Sequence, residues 1–409
     1  ARWRVGTCQR SRGPRCTRGS LGLGSSDVRG QGRWFRFSRE IDHVRMSSRK
    51  MIRQPLKLSL RARIPALLAL CTAAVAALSP SAALAQTGPP SPAEHLGYEL
   101  GQRFASTNAI ESYGHALAAG SPVVHLEQYG VTPEGRSLFV LVIGHGLDAG
   151  DFESDLAPLQ LLTDPKLSPN RAREIARETR AVVWLTYGIH GDESSSSQAA
   201  LWTAWDLATG RAGLDGVLDS LIVVIDPVAN PDGRDRYVNW YRSVRGEVPN
   251  PEVSSAEHRQ PWPGGRYNHY LFDLNRDWTW ASQPETQARL AEFDRWHPAV
   301  HVDFHEMGHE SSYFFFPAAA PISPLYPEST ARWAERFGRA NAAEFDRRRW
   351  LYFTAEQFDL FYPGYGDSWP SLVGAIGMTY EQAGGGRAGL VVRRHDGELL
   401  KLADRIERH

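Results

Sequence analysis

Four side chains that can perform metal or acid–base chemistry stand at the ends of short apolar segments typical of buried strands. They are His190, Glu193, His305 and Glu381, and nearly 200 positions separate the first from the last. In open α/β sheets, ligands bind beyond the carboxyl ends of the strands. We therefore expect these four side chains to meet at one edge of a sheet.

His190 and Glu193 are spaced i, i+3 where a strand passes into a helix, so one nitrogen and one carboxylate can face a single cation there. With His305 they would form a His2Glu set, which leaves the fourth tetrahedral position open for water, as catalytic zinc sites do. The alternative is a turn histidine beside a carboxylate that merely favours a helix N-terminus. The equivalent placement of His305 and Glu381 favours the metal site.

A competing zinc motif, H-E-x-x-H, runs from His305 through Glu306 to His309. It would require both histidines on one face of a helix, with Glu306 as the base. The preceding residues 300–304 alternate as in a strand, and Gly308 is a poor helix former. We therefore interpret this match as a coincidence.

Alternating strands and helices must position these side chains. The predicted strands are Leu138–Ile143, Ala181–Tyr187, Leu221–Ile225, Ala299–His305, Tyr313–Phe316 and Gly377–Glu381. The predicted helices are Asn170–Arg180, Ser195–Leu207, Thr286–Trp296 and Glu328–Arg349, and residues 244–265 are expected to form a loop. Continuously apolar strands that alternate with helices indicate an α/β class. We predict a three-layer α/β/α domain with a mixed, largely buried central sheet.

The distribution of charge and cysteine divides the chain near residue 85. Residues 1–85 carry 17 Lys and Arg against three acids, a net charge of +14, so the remaining 324 residues carry 29 against 43, a net of −14. An acidic body argues against nucleic acid as a partner. All three cysteines precede residue 86, so a metal in the body must be held by His, Asp or Glu.

The first 94 residues are expected to lie outside the catalytic domain. Residues 51–85 resemble a secretory signal, with a basic start, a 15-residue apolar run and an A-x-A site at Ala83–Ala85. That run is too short to span a bilayer, which needs about 20 residues, so we expect no membrane span in the mature chain and a secreted or periplasmic location. Residues 1–50 are interpreted as a mistranslated or disordered extension, and residues 86–94 as a leader.

At the other end, Asp396–His409 is predicted to be the start of an amphipathic C-terminal helix. Its pattern has no C-cap signal, which leads us to expect a truncated chain.

Five motifs in order resemble the zinc carboxypeptidase (metallocarboxypeptidase) family over about residues 95–395. They are the H-x-x-E element in Gly188–Gln198, the N-P-D-G turn Asn230–Gly233, the D-x-N-R motif Asp273–Arg276, the strand Val302–His305 and the strand Thr379–Glu381. Each motif is weak alone, but the five together in this order are specific.

The resemblance implies a role for each matching residue. His190, Glu193 and His305 would bind one Zn²⁺ per chain, and Glu381 would be the general base. Asn275 and Arg276 would hold the terminal carboxylate of the substrate. Arg242 would polarise the scissile carbonyl, with Arg245 as its competitor, and Tyr365 would be the mobile substrate-binding tyrosine, with Tyr362 as its rival.

The resulting function is zinc-dependent hydrolysis of peptide bonds, with release of C-terminal residues from a peptide or protein substrate. Three alternatives stay open on the same fold. They are a zinc amidohydrolase that deacylates acyl-amino acids, a cell-wall peptide hydrolase, and a non-catalytic binding module.

Overall fold

A computed structural model of the protein describes residues 88–147, 152–214 and 216–409. The predicted extension 1–50 and the predicted signal 51–85 lie outside the described residues, as do residues 86 and 87 of the leader. Among the helices that are described, none combines the length and the apolar character needed to cross a membrane.

The described helices range from 4 to 21 residues in length. They are α1 Pro92–Leu96, α2 Thr107–Gly120, α3 Glu153–Leu162, α4 Pro169–Glu178, α5 Ser196–Thr209, α6 Val217–Ser220, α7 Pro231–Val244, α8 Pro284–Trp296, α9 Glu328–Arg348, α10 Ser368–Leu372 and α11 Leu402–Arg408. The strands are β1 Val124–Val131, β2 Ser137–Ile143, β3 Ala181–Tyr187, β4 Leu221–Asp226, β5 Val300–Gly308, β6 Tyr313–Phe314, β7 Ala319–Ile322, β8 Tyr352–Phe353, β9 Asp359–Leu360, β10 Ile376–Gly384, β11 Val391–Arg393 and β12 Leu399–Lys401.

Eight of these strands form one mixed sheet in the order β1-β2-β4-β3-β5-β10-β6-β8. The central strands β4, β3, β5 and β10 run parallel, whereas β1, β2 and β6 join antiparallel. Parallel strands need both faces covered. Leu117 of α2 and Leu201 of α5 pack on one face, and Leu156 of α3 and Trp296 of α8 on the other. The predicted three-layer α/β/α class is confirmed.

The N-P-D-G motif, predicted as a turn, is the start of helix α7. Asn230 is the N-cap, and its side-chain oxygen accepts a hydrogen bond from the Gly233 amide at 2.9 Å. Pro231 occupies the first helical position, where its missing N–H has no helical partner to lose. Part of the segment that connects β4 to the loop 244–265 is therefore helical.

The predicted helix over residues 396–409 is shorter than expected. Residues 399–401 form strand β12, which pairs with β11, and α11 begins only at Leu402. Leu402 and Ile406 are both buried in the same core cluster as Leu201 of α5. This end of the chain therefore packs on the same core as the rest.

The sheet brings the ends of β3, β5 and β10 together. In the parallel pairing of β5 with β10, His305 and Glu381 are direct partners. Side chains of paired residues in parallel strands project to the same face. The strand register alone therefore places Glu381 beside His305.

Candidate metal site and active-site cleft

Three potential metal ligands converge where β3 and β5 end. His190 Nδ1 lies 2.7 Å from Glu193 Oε1, and His305 Nδ1 lies 2.9 Å from Glu193 Oε2. One donor atom from each residue falls within 4.8 Å of the others. All three side chains are buried. In the part of the chain that the structure describes, this is the group of His and acidic residues that could hold a metal ion.

The outer nitrogens of both histidines are held by carboxylates. His190 Nε2 lies 3.0 Å from Asp273 Oδ1, and His305 Nε2 lies 2.8 Å from Asp303 Oδ2. His305 Nε2 also lies 3.0 Å from the Asn275 amide nitrogen, so Asn275 and Asp303 both face this ring nitrogen. Carboxylate–histidine pairs of this kind orient metal ligands and raise their basicity.

The electrostatics of the centre favour a cation. Burial alone would lower the pKa of His305, but the carboxylates of Asp303 and Glu193 outweigh it and raise that pKa well above its usual value. Burial would likewise raise the pKa of Glu193, yet the two histidines hold it well below its usual range. Two imidazole nitrogens and a carboxylate are a donor set that suits zinc.

Glu381 faces this centre from β10. Its side chain is buried, and its Oε2 has no hydrogen-bond partner among the described residues. Burial, reinforced by the charge of Glu193 against the opposing effect of His305, raises the pKa of Glu381 to about 8. A carboxyl group with its pKa near neutrality can both accept and return a proton.

Asn275, Arg276 and Tyr365 line the same cleft, which has a volume of about 300 Å³. The Arg276 guanidinium lies 4.5 Å from the centre of the Tyr365 ring. Tyr362, the rival of Tyr365, instead donates its hydroxyl to the Arg276 carbonyl at 3.0 Å. The structure thus brings these three predicted substrate-binding residues next to the metal ligands.

Arg242 lies elsewhere, and the prediction that it reaches the scissile carbonyl is corrected. It is exposed on the last turn of α7, where its guanidinium donates to the Phe104 carbonyl at 3.1 Å. Together with its competitor Arg245 it lines a separate cavity. The error follows from the helix that replaces the predicted turn, because α7 carries Arg242 away from the strand ends.

Arg266, which the sequence did not indicate, is an arginine of the cleft. It lines the cleft, its Nη2 lies 2.8 Å from Asp273 Oδ2, and its Nη1 lies 3.4 Å from Glu193 Oε1. About a third of its side chain remains exposed. It follows an irregular loop, so no hydrophobic period indicated where its side chain points.

Asp367, also missed from the sequence, is buried in the wall of the cleft. It accepts a hydrogen bond from the Thr379 hydroxyl at 2.9 Å. Burial raises the pKa of this carboxyl from 3.8 to about 6. Nothing in its local sequence distinguished it from an ordinary turn residue before α10.

The H-E-x-x-H arrangement does not form a site. Residues 300–308 are strand β5, so His305 and His309 cannot share a helix face. His309 Nε2 lies 3.2 Å from Glu310 Oε1 and is not in the metal-ligating group. Interpreting this motif as a coincidence agrees with the structure.

Comparison with known proteins identifies the family of the chain. The sequence model of the zinc carboxypeptidase family, peptidase M14, matches residues 110–348, more than half of the chain. The chain belongs to the zinc carboxypeptidase family, whose members depend on zinc. The match includes His190, Glu193, His305, Asn275 and Arg276, and ends before Tyr365 and Glu381.

Solved structures of low sequence identity are similar to this one. A metallo-carboxypeptidase from Burkholderia cenocepacia is 16% identical, with a TM-score of 0.46 and coverage of 67% of this chain and 59% of that one. Carboxypeptidase A from Helicoverpa armigera is 17% identical, with a TM-score of 0.49 and coverage of 84% and 76%. This chain therefore spans about three fifths of the length of the Burkholderia protein. No curated protein matched the sequence.

Proposed function

We propose that this protein is a zinc-dependent peptidase that hydrolyses amide bonds and releases C-terminal residues from peptides. The observation that carries the proposal is the convergence of His190, Glu193 and His305 beside Glu381. The predicted domain 95–395, together with the packed C-terminal segment 396–409, would carry the activity.

One zinc ion per chain would be held by His190, Glu193 and His305. Bound there, zinc supplies Lewis acidity that acidifies water and polarises a carbonyl oxygen. The protein's part is to orient both imidazoles, which the contacts of their Nε2 atoms with Asp273 and Asp303 support.

Glu381 would act as the general base and then as the general acid. Its carboxylate would take a proton from the attacking water and deliver that proton to the leaving amine. Its buried position beside His305 supports this role, and its raised pKa supports return of the proton to the leaving amine. Arg266 would hold the carbonyl oxygen, because a guanidinium in the cleft can stabilise negative charge that develops there.

Arg276 and Asn275 would bind the terminal carboxylate of the substrate. A guanidinium binds a carboxylate through two parallel hydrogen bonds, which fixes both charge and orientation. Arg276 Nη1 donates a hydrogen bond to the Asn275 carbonyl at 2.9 Å, and the other donors of the guanidinium would bind a ligand in the cleft. Tyr365, stacked on Arg276, would close over the bound residue.

The test is metal analysis of purified 86–409 chain together with turnover on a matched substrate panel. The panel contains one peptide with a free C-terminus, the same peptide as its C-terminal amide, and an acyl-amino acid. The proposal predicts one zinc per chain and cleavage of the free peptide only. Equal cleavage of the amide would remove the carboxypeptidase assignment, and cleavage confined to the acyl-amino acid would establish a deacylase.

Export is proposed for the same chain. The basic start, apolar run and A-x-A site of residues 51–85 support removal of a signal peptide and a secreted or periplasmic location. N-terminal sequencing of protein recovered from the periplasm or medium should begin at Gln86. Recovery of uncleaved protein from the cytoplasm alone would contradict export.

A further inference from the structure

Glu306, the residue left over from the H-E-x-x-H match, touches the metal site through its backbone. It follows the ligand His305 on β5, and its amide donates to Glu193 Oε2 at 2.9 Å. The carboxylate oxygen Oε1 of Glu306 accepts hydrogen bonds from the Ser195 amide at 3.0 Å and from the Ser195 hydroxyl. Glu306 therefore holds the segment 193–195 at two points, one on the ligand itself and one two residues after it.

The charge of Glu306 is balanced by Arg405 from the C-terminal helix α11. Arg405 Nη1 lies 3.1 Å from both carboxylate oxygens of Glu306, and its Nη2 donates to the Gly389 carbonyl. Both side chains have no solvent exposure. A methyl group on Gly384 would lie 2.5 Å from Glu306 Oε2 and 2.9 Å from Arg405 Nη1, so the backbone packs directly on the pair.

We propose that Glu306 and Arg405 form a buried pair that positions the metal ligand Glu193, so that helix α11 governs the zinc affinity of a site it does not line. Without Arg405, Glu306 would carry an unpaired charge in a closed space, and an uncompensated buried charge is strongly unfavourable. Movement of Glu306 toward water would relieve this charge. Such a movement would release Ser195 and shift the Glu306 amide, which donates to Glu193. Groups that orient metal ligands from behind typically change metal affinity by about 10–100-fold.

A purely stabilising role is the competing explanation. A buried ion pair is weak evidence for stability, because the loss of hydration offsets much of the attraction. The two explanations differ in what residue 306 must do: positioning requires an acceptor for Ser195, whereas stabilisation requires only a filled, neutral space.

The experiment compares zinc dissociation constants of metal-stripped chains, measured by competition with a chromophoric chelator. The variants are Arg405→Met, Glu306→Gln with Arg405→Met, and Glu306→Leu with Arg405→Met. Arg408→Met, on the same helix but over Trp350 rather than Glu306, is the matched control. Thermal unfolding of each metal-free chain monitors the fold separately.

Arg405→Met should weaken zinc binding by about 10–100-fold. The double variant with Glu306→Gln should return to within about threefold of the parent, because the amide oxygen introduced at position 306 still accepts from Ser195 and no charge is left unpaired. The double variant with Glu306→Leu should be weak again. If Arg405→Met does not fold, the two neutral double variants decide, since their only difference is the acceptor at position 306.

Equal zinc affinity of the two double variants would overturn the proposal, as would a loss in Arg408→Met equal to that in Arg405→Met. The inference rests on the proposed metal site, but different results would contradict the metal site and the positioning role. A parent chain that binds no zinc removes the site itself, whereas a zinc-binding parent with insensitive variants removes only the positioning role.

Discussion

His190 Nδ1 and His305 Nδ1 lie 3.2 Å apart, although 115 positions separate the two residues in the sequence. Glu193 contacts both of these nitrogens, His190 Nδ1 at 2.7 Å through Oε1 and His305 Nδ1 at 2.9 Å through Oε2. Two imidazole nitrogens and a carboxylate are a donor set that suits zinc. A divalent cation bound between them would replace these contacts with metal–ligand bonds.

Replacement of His190 with Ala should abolish stoichiometric zinc binding, because it removes one of two nitrogen donors from a three-residue site. The loss of affinity should exceed the roughly 10–100-fold typical of residues that only orient a ligand. Zinc content after dialysis against a weak chelator measures it. His309→Ala is the control and should keep its zinc, since His309 pairs with Glu310. Full zinc in His190→Ala with loss in His309→Ala would restore the H-E-x-x-H hypothesis.

Replacement of Glu381 with Gln should leave zinc binding intact and reduce kcat by about 10²–10⁴-fold, the range of general acid–base catalysis. The amide keeps the shape of the side chain but cannot accept a proton from water. Because Glu381 is not among the three converging ligands, metal content should equal that of the parent. Unchanged turnover in this variant would exclude Glu381 as the base.

The strand ends were the part of the site that the sequence could predict. Apolar runs marked β3, β5 and β10, and the rule that ligands bind at carboxyl ends placed His190, His305 and Glu381 together. The direct pairing of His305 with Glu381 depends on the register between β5 and β10. The pattern of a single strand does not contain this information. The hydrophobic pattern thus predicted which segments form the central sheet and at which edge of the sheet the site lies. It did not predict which residues of neighbouring strands are paired.

Residues on irregular backbone escaped prediction. Arg266 follows a loop, so no period of about 2.0 or 3.6 residues indicated its direction, and Arg242 was assigned to the cleft without knowledge of helix α7. Asp367 is buried and accepts a hydrogen bond from Thr379, a contact between separate segments of the chain. The link from Glu306 to Arg405 likewise joins residues 99 positions apart.

Replacement of Arg266 with Met should lower kcat/KM by about 10²–10³-fold, the effect of removing one donor that stabilises a developing oxyanion. Arg242→Met is the matched control, because Arg242 is an exposed arginine that lines another cavity. A surface substitution of that kind usually changes the free energy of unfolding by about 0.5 kcal/mol or less. Steady-state kinetics on one peptide compares the two variants. A larger loss in Arg242→Met than in Arg266→Met would reverse their assignments.

Asp367 gives the protein a stability that depends on pH. Its pKa is about 6 in the folded protein against 3.8 for the ordinary side chain, chiefly because burial disfavours the charge. The folded state therefore binds a proton that the unfolded state has already lost between these values. Its contribution is fully favourable below about pH 4 and is lost as pH rises through about 6.

The change in the free energy of unfolding caused by Asp367→Asn should therefore be more favourable at pH 8 than at pH 4, both measured on the metal-free chain. A shift of about two pKa units corresponds to roughly 3 kcal/mol, which is the upper limit of the difference because the amide must also keep the hydrogen bond from Thr379. Urea unfolding at the two pH values measures the difference. Asp396→Asn, on an exposed turn before β12, is the matched substitution for comparison. An Asp367→Asn variant whose effect is the same at both pH values would show that folding leaves the pKa of Asp367 where it is in the unfolded chain.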